Sequence, residues 1–315
     1  AYVEAEVAGV LTRSVYRAPM SLTAMNSVIA TILKHLHKRL SHSRMRHCLS
    51  LCNAIIVPFR QIHHIALAVR SLVALQSPVG ASIDTPGENP CHFGFDVNIT
   101  GTAAGGLASY LSEFNYGHDR DGKPNSLMAI PGLEKYWGTG TFVTEALTKE
   151  AISSLDKAKK YGQPFYLYMS HYAVHIPIDK DMRFFPKYVR KGLSDKDAAY
   201  ASLVEGMDKS LGDIMDWLDK NDEAKNTIIV FLGDNGGLAC NPKFREGPLF
   251  TQNSPLKSGK GSLYEGGIRV PFIVKWGDKV KAGTRNDNSI IIEDLYPTIL
   301  DMAGVKQYKV PQAID

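Results

Sequence analysis

Between residues 142 and 276 the sequence alternates between helical and extended patterns, and this alternation restricts the fold more than any other feature. Phe142 to Lys160 places Val143, Leu147, Ala151, Ile152 and Leu155 on one face of a helix, with Thr141 positioned to cap it. Tyr161-Gly162-Gln163-Pro164 then leads into an aromatic, apolar run, Phe165 to Ser170, with the texture of a buried strand. A second helix is expected over Ala198 to Asp219, with Leu203, Met207, Leu211, Ile214, Met215 and Leu218 on its apolar side. A strand over Thr227 to Leu232 follows, and the run Val270 to Trp276 reads as another. Strands alternating with helices at this spacing imply an α/β fold, a mainly parallel mixed sheet flanked by helices on both faces.

Open sheets of this kind bind ligands beyond the carboxyl ends of their strands, so the residues standing there are the ones to read for chemistry. After the first strand comes His171-Tyr172-Ala173-Val174-His175-Ile176-Pro177. On the residues alone, one histidine caps the strand and the other is satisfied in the core, or one of them works as an acid or base, with an ordinary pKa of roughly 6.5. After the second strand comes Gly233-Asp234-Asn235-Gly236-Gly237, which is either a good turn or a pair of oxygen donors. Before the third lies Asn253-Ser254-Pro255-Leu256-Lys257-Ser258-Gly259-Lys260-Gly261-Ser262-Leu263-Tyr264-Glu265-Gly266-Gly267-Ile268-Arg269-Val270-Pro271. Glycines on either side of Lys260 let the backbone approach a ligand closely and set an ammonium beside it, so an anion is the natural guest; the alternative is a solvated loop lysine.

The wording of that last stretch closely resembles the sulfatase signature Pro-Leu-x-x-Gly-Lys-Gly-Ser-x-Tyr-Glu-Gly-Gly-x-Arg-x-Pro. His92-Phe93-Gly94-Phe95-Asp96 is similar to the family's His-Gly-Phe-Asp segment with Phe93 inserted, and Asp294-Leu295-Tyr296-Pro297-Thr298 matches its Asp-Leu-Tyr-Pro-Thr helix start. The resemblance runs from His92 to Asp315 and implies an alkaline-phosphatase-like fold and hydrolysis of sulfuric esters. It further implies that His175 contacts the sulfate and protonates the leaving alkoxide, and that Lys260 binds the sulfate oxygens. Asp234 and Asn235 would be two oxygen ligands of a divalent metal, Ca2+ in this family. Tyr264, Glu265 and Arg269 are expected to brace the loop. A hard cation takes about six or more oxygens, so the metal's ligand set is expected to be incomplete.

The family's nucleophile is a formylglycine made from the first residue of Cys-x-Pro-Ser-Arg or Ser-x-Pro-x-Arg, and neither motif stands in this sequence. Cys52 precedes Pro58 and Arg60 at the wrong spacing, and in Cys240-Asn241-Pro242 the arginine, Arg245, falls one residue late. The family's apolar first strand ending in Asp-Asp and its Lys-Trp-His segment are also not found, and a central strand is expected to be missing with them. The expectation is therefore a sulfatase catalytic domain over 91–315, truncated at both ends and inactive by itself, whose ligand is a sulfated small molecule or carbohydrate. The alternatives are a sulfatase-like module that binds sulfated glycans without hydrolysis, or a related phosphoester or phosphonate hydrolase.

Residues 1–90 resemble none of this. Up to residue 80 the acids are Glu4 and Glu6, against nine lysines and arginines and six of the ten histidines, whereas the whole chain carries a net charge of only +4. Met20 to Leu40 has the spacing of an amphipathic helix with a basic face, read as solvated in preference to a nucleic-acid or membrane surface. The apolar runs Leu49 to Phe59 and Ile65 to Leu75 allow helix, and the adjacent His63 and His64 would point to different faces of any regular element. Pro78 to Pro90 reads as a boundary. No apolar run approaches the roughly 18 residues of a membrane span. The four cysteines make neither a disulfide framework nor a zinc site. The family is exported, periplasmic or lysosomal; no export signal is recognisable from Ala1 onward.

Overall fold

A computed structural model describes residues 52–58, 72–74, 90–100, 106–237 and 253–305. The expected helix over Met20 to Leu40, the His63 and His64 pair and Cys240-Asn241-Pro242 lie outside the described residues. The strands are β1 (Cys52–Pro58), β2 (Leu72–Ala74), β3 (Phe95–Asn98), β4 (Tyr166–Ser170), β5 (Thr227–Gly233) and β6 (Phe272–Trp276). They form one six-stranded sheet in the order β3-β2-β4-β1-β5-β6. β2 is parallel to β3 and β4, whereas β1 is antiparallel to both its neighbours and β6 is antiparallel to β5. Four of the six strands, β2 to β5, therefore run the same way, with β1 and β6 opposed.

Two expectations change here. The run Leu49 to Phe59 allowed helix, and the structure makes Cys52–Pro58 a strand, in keeping with its β-branched Ile55, Ile56 and Val57. A missing central strand was also expected, and β1 occupies the place between β4 and β5. Both neighbours would otherwise present unpaired backbone groups in the middle of the sheet, which burial makes costly. The ladder sets Asn53 opposite Ser170 on one side and Leu232 on the other, so β4 and β5 end level with each other. Whatever follows the two strands leaves the sheet at one edge.

Helices α1 (Val143–Lys160) and α3 (Asp195–Lys220) cover one face, with α2 (Phe185–Arg190) packed against α3. Most apolar positions read from the sequence are buried: Leu147, Ala151 and Leu155 meet Leu203, Met207, Ile214 and Leu218 over Leu167, Met169 and Ile229 of the sheet, with Ile152, Leu211 and Met215 partly buried at its margin. Alternate residues of β5, Ile228, Val230 and Leu232, face the other way and join Val274, Trp276 and two residues of α5 (Leu295–Met302), Leu295 and Met302. Period-two alternation within one strand thus feeds two cores, and the sheet is covered on both faces. α3 is capped by Ser194, whose side chain accepts a hydrogen bond from the Asp197 amide. α1 begins differently from expectation: its cap is Phe142, and Thr141 Oγ1 instead accepts from the Thr139 hydroxyl at 2.8 Å. No helix among the described residues is long and apolar enough to cross a membrane.

Leu147 is fully buried between α1, α3 and the sheet. Leu147→Ala is expected to lower the unfolding free energy by about 3 kcal/mol, read from urea denaturation with an unchanged m-value.

Candidate functional site

The level ends of β4 and β5 bring two of the sequence-predicted residues to one edge, and a third reaches them from the loop before β6. Beyond β4, His171 turns inward and His175 turns to the site. His171 is 4 % exposed, its Nδ1 has no hydrogen-bond partner among the described residues, and burial alone pushes its pKa from 6.5 down to about 4. It is the core histidine of the pair. His175 is half-buried, and its Nδ1–H donates to the Ile176 carbonyl oxygen at 2.8 Å, because a carbonyl can only accept. That bond assigns the proton of the neutral ring to Nδ1 and leaves the Nε2 lone pair for a ligand. Burial lowers the His175 pKa, the Ile176 carbonyl opposes the shift, and the charge of Lys260 adds to it.

Asp234 follows Gly233, the last residue of β5. Crowding by the surrounding protein pushes its carboxyl up to about 6, while the Asn235 amide, Lys260 and its own amide pull the other way. The side chain also keeps a face open to solvent, which moderates the push. Lys260 therefore acts electrostatically on both His175 and Asp234. Asn235 stands beside Asp234, with its Nδ2 donating to the Gly236 carbonyl at 3.0 Å.

The backbone of Lys260 is fixed by its neighbours. Its N–H donates to the Gly237 carbonyl at 2.8 Å, and the Gly236 N–H donates to the Gly267 carbonyl at 2.9 Å, so the loop after β5 and the lysine loop lie against each other. A Cβ at Gly236 would stand 1.7 Å from the Gly266 carbonyl oxygen, and Cβ atoms at Gly266 and Gly267 would each stand 2.2 Å from a carbonyl oxygen, of Ser258 and Ser262. Only glycines allow that approach. The lysine loop closes with the short helix α4 (Glu265–Ile268), where Arg269 Nη1 donates to Glu265 Oε2 at 2.5 Å and Lys257 Nζ lies 3.7 Å from the Tyr264 ring centroid.

Sequence reasoning gave no role to Asn253, which is 4 % exposed and donates through Nδ2 to the Gly237 and Ser258 carbonyls at 3.0 and 3.1 Å. It ties the two loops together beneath Lys260. An asparagine ahead of Ser-Pro reads as turn chemistry, and nothing local distinguishes a residue that reaches across to a second loop.

Among the described residues the ligand set for a calcium ion is incomplete. Asp234 and Asn235 offer one carboxylate and one amide, and among the described residues no group of three or more His, Cys, Asp or Glu could hold a metal. The register position opposite Gly233 on the neighbouring strand is Cys52, where no carboxylate residue stands. The charge next to Asp234 is instead the Lys260 ammonium.

Comparison with known proteins gives one consistent result. The Sulfatase family model matches residues 87–305. A sulfatase of Formosa agariphila is 34% identical over 181 residues, which is 54% of this chain and 31% of that protein. The uncharacterized sulfatase YdeN of Escherichia coli is 36% identical over 165 residues, 52% of this chain and 28% of that protein. Among solved structures, Ps i-CgsB in complex with k-i-k-neocarrahexaose superposes with a TM-score of 0.60 at 29% identity, covering 78% of this chain and 54% of that one. The chain thus spans under a third of the length of these two curated relatives and about half of that solved structure.

The buried neutral His171 sets a pH dependence. Its folded pKa, about 4, lies below the ordinary 6.5, so the unfolded chain binds the extra proton between those values. Stability is complete above pH 6.5 and falls as pH drops toward 4, by about 3 kcal/mol in all for this group. His171→Phe should remove that part of the slope in urea denaturation between pH 7 and 4.5; a slope equal to the parent's would contradict the assignment.

Proposed function

The chain belongs to the sulfatase family, and from that premise we propose that its strand-edge site holds the sulfate group of a carbohydrate sulfate ester between Lys260 and His175. The observation that supports this reading is the Lys260 N–H bond to the Gly237 carbonyl at 2.8 Å, which sets the lysine loop against the loop that begins at Asp234, with the lysine charge acting on both Asp234 and His175.

Lys260 is the residue for the sulfate oxygens, an ammonium held on a glycine-lined backbone that leaves room for an anion. His175 is the residue for the ester oxygen. Burial and Lys260 favour the neutral ring, with Nε2 unprotonated. A bound sulfate group screens the lysine and adds negative charge, which favours the imidazolium. Nε2–H then donates to the bridging oxygen, the position from which a leaving alkoxide takes its proton. Asp234 and Asn235 are proposed as two oxygen donors toward a divalent cation whose other ligands are not among the described residues, and no step is assigned to that cation.

Three observations support a sugar as the group carrying the sulfate. Leu127, Met128 and Ile176 are 96 %, 49 % and 41 % exposed. The position of a Cβ on Gly106 would be 3.7 Å from Met128 Sδ and 3.2 Å from His175 Cε1, so the methionine and the imidazole are neighbours. An exposed methionine beside the leaving-group residue suits the C–H face of a sugar ring. The third is Ps i-CgsB, whose solved complex contains a neocarrahexaose. Because neither formylglycine motif stands in the 315 residues, the chain by itself is proposed to bind the ester without hydrolysing it.

Titration calorimetry of the chain with a sulfated carrageenan oligosaccharide and its desulfated counterpart tests this reading. The sulfated ligand should bind and the desulfated one should not. Lys260→Ala should weaken binding about tenfold or more, as expected for a lost charge-assisted contact, with an unchanged circular dichroism spectrum. Equal binding of both ligands, or indifference to Lys260→Ala, would refute the site; steady turnover of an aryl sulfate would refute the non-hydrolytic part.

A further inference from the structure

We propose that Tyr110 is a positioning residue for His175: its buried hydroxyl, set between the carbonyl oxygens of Tyr172 and His175, fixes the turn from which the imidazole reaches the anion site. The inference rests on the reading of His175 as a sulfate-ester contact. Tyr110 is fully buried, and its ring stacks on Phe142 with centroids 5.1 Å apart and planes at 12°. The hydroxyl it holds in place donates to Tyr172 O at 2.7 Å and His175 O at 2.9 Å. Burial, reinforced by the nearby Asp179 carboxylate, pushes the phenol well above its ordinary range, so it stays a donor.

The need for such a clip follows from the local backbone. The ladder of β4 ends at Ser170, and the residues from His171 to His175 belong to no helix or strand. Within that stretch the His175 N–H donates to the Tyr172 carbonyl at 2.8 Å. Tyr110 caps both carbonyls of that turn from outside. Its backbone is anchored in turn beyond His175: the Tyr110 N–H and the Ser109 hydroxyl both donate to Asp179 Oδ2, at 2.9 and 3.2 Å. Residues 109–110 therefore grip the chain on both sides of the histidine.

Gly106, a few residues earlier in the same segment, completes the cradle. A Cβ there would lie 3.2 Å from His175 Cε1 and 3.3 Å from Nδ1, so the imidazole rests directly on that backbone. Segment 106–110 thus meets His175 at the ring through Gly106 and at the main chain through Tyr110.

Tyr110→Phe is the test, because it keeps the stacked ring and removes only the oxygen. In chain labelled with 15N-histidine, the imidazole signals of His175 are assigned by their loss in His175→Ala, and inorganic sulfate affinity is measured on the same samples. The parent should show one sharp His175 state. Tyr110→Phe should broaden or split it and weaken sulfate binding about tenfold. Unchanged His175 signals overturn the assignment whatever happens to thermal stability, and so do altered signals with unchanged sulfate affinity. If the parent binds no sulfate, the proposed function fails and the His175 signals alone decide the role of Tyr110. If Tyr110→Phe does not fold, Asp179→Ala, at a half-buried position, releases the same anchor and is read by the same signals.

Discussion

The site depends on two glycine-rich loops lying backbone on backbone. The Gly236 N–H reaches the Gly267 carbonyl and the Lys260 N–H reaches the Gly237 carbonyl, with the buried Asn253 amide bridging Gly237 and Ser258. Each contact is an ordinary hydrogen bond, of modest net worth in water-exposed settings. Their consequence here is geometric. The Gly236 position has no space for a single methyl group, so the loop after β5 and the loop before β6 pack backbone on backbone, and the Lys260 main chain is held beside Gly237.

The sheet supplies the other half of the arrangement. β1 stands between β4 and β5 in antiparallel register with both, which levels their carboxyl ends. His175 leaves from one end and Asp234 from the other, and Lys260 reaches both. Electrostatics then follows from placement: a lysine charge that acts on a histidine and a carboxylate at once makes the site favourable to an anion, and the proton on His175 becomes contingent on that anion. The same strand end carries one buried histidine and one half-buried one. His171 takes the first position past the ladder and points inward, whereas His175 stands after a turn that Tyr110 holds open to the site.

Much of this was legible in the sequence because the signals were local and periodic. The apolar stripes of α1 and α3 and the alternation in β5 are read directly as burial, and the lysine-glycine stretch carries the family resemblance in its own wording. What escaped was non-local. A run such as Cys52-Asn53-Ala54-Ile55-Ile56-Val57-Pro58 becomes a strand because a gap between β4 and β5 needs backbone partners, and nothing within the run states that. Thr141 has the right residue type and place for a cap, yet its hydroxyl oxygen takes the Thr139 hydroxyl instead. Asn253 and Tyr110 act on segments far along the chain, 16 and 65 residues away at their bonds to Gly237 and His175, where no spacing rule applies.

The central claim is that one sulfate group is held jointly by Lys260 and His175. A crystal structure of the chain grown with a sulfated oligosaccharide measures it most directly. The account predicts a sulfate group within hydrogen-bonding distance of both Lys260 Nζ and His175 Nε2, with the sugar ring against Met128. A sulfate group bound elsewhere, with those two atoms untouched, would contradict it.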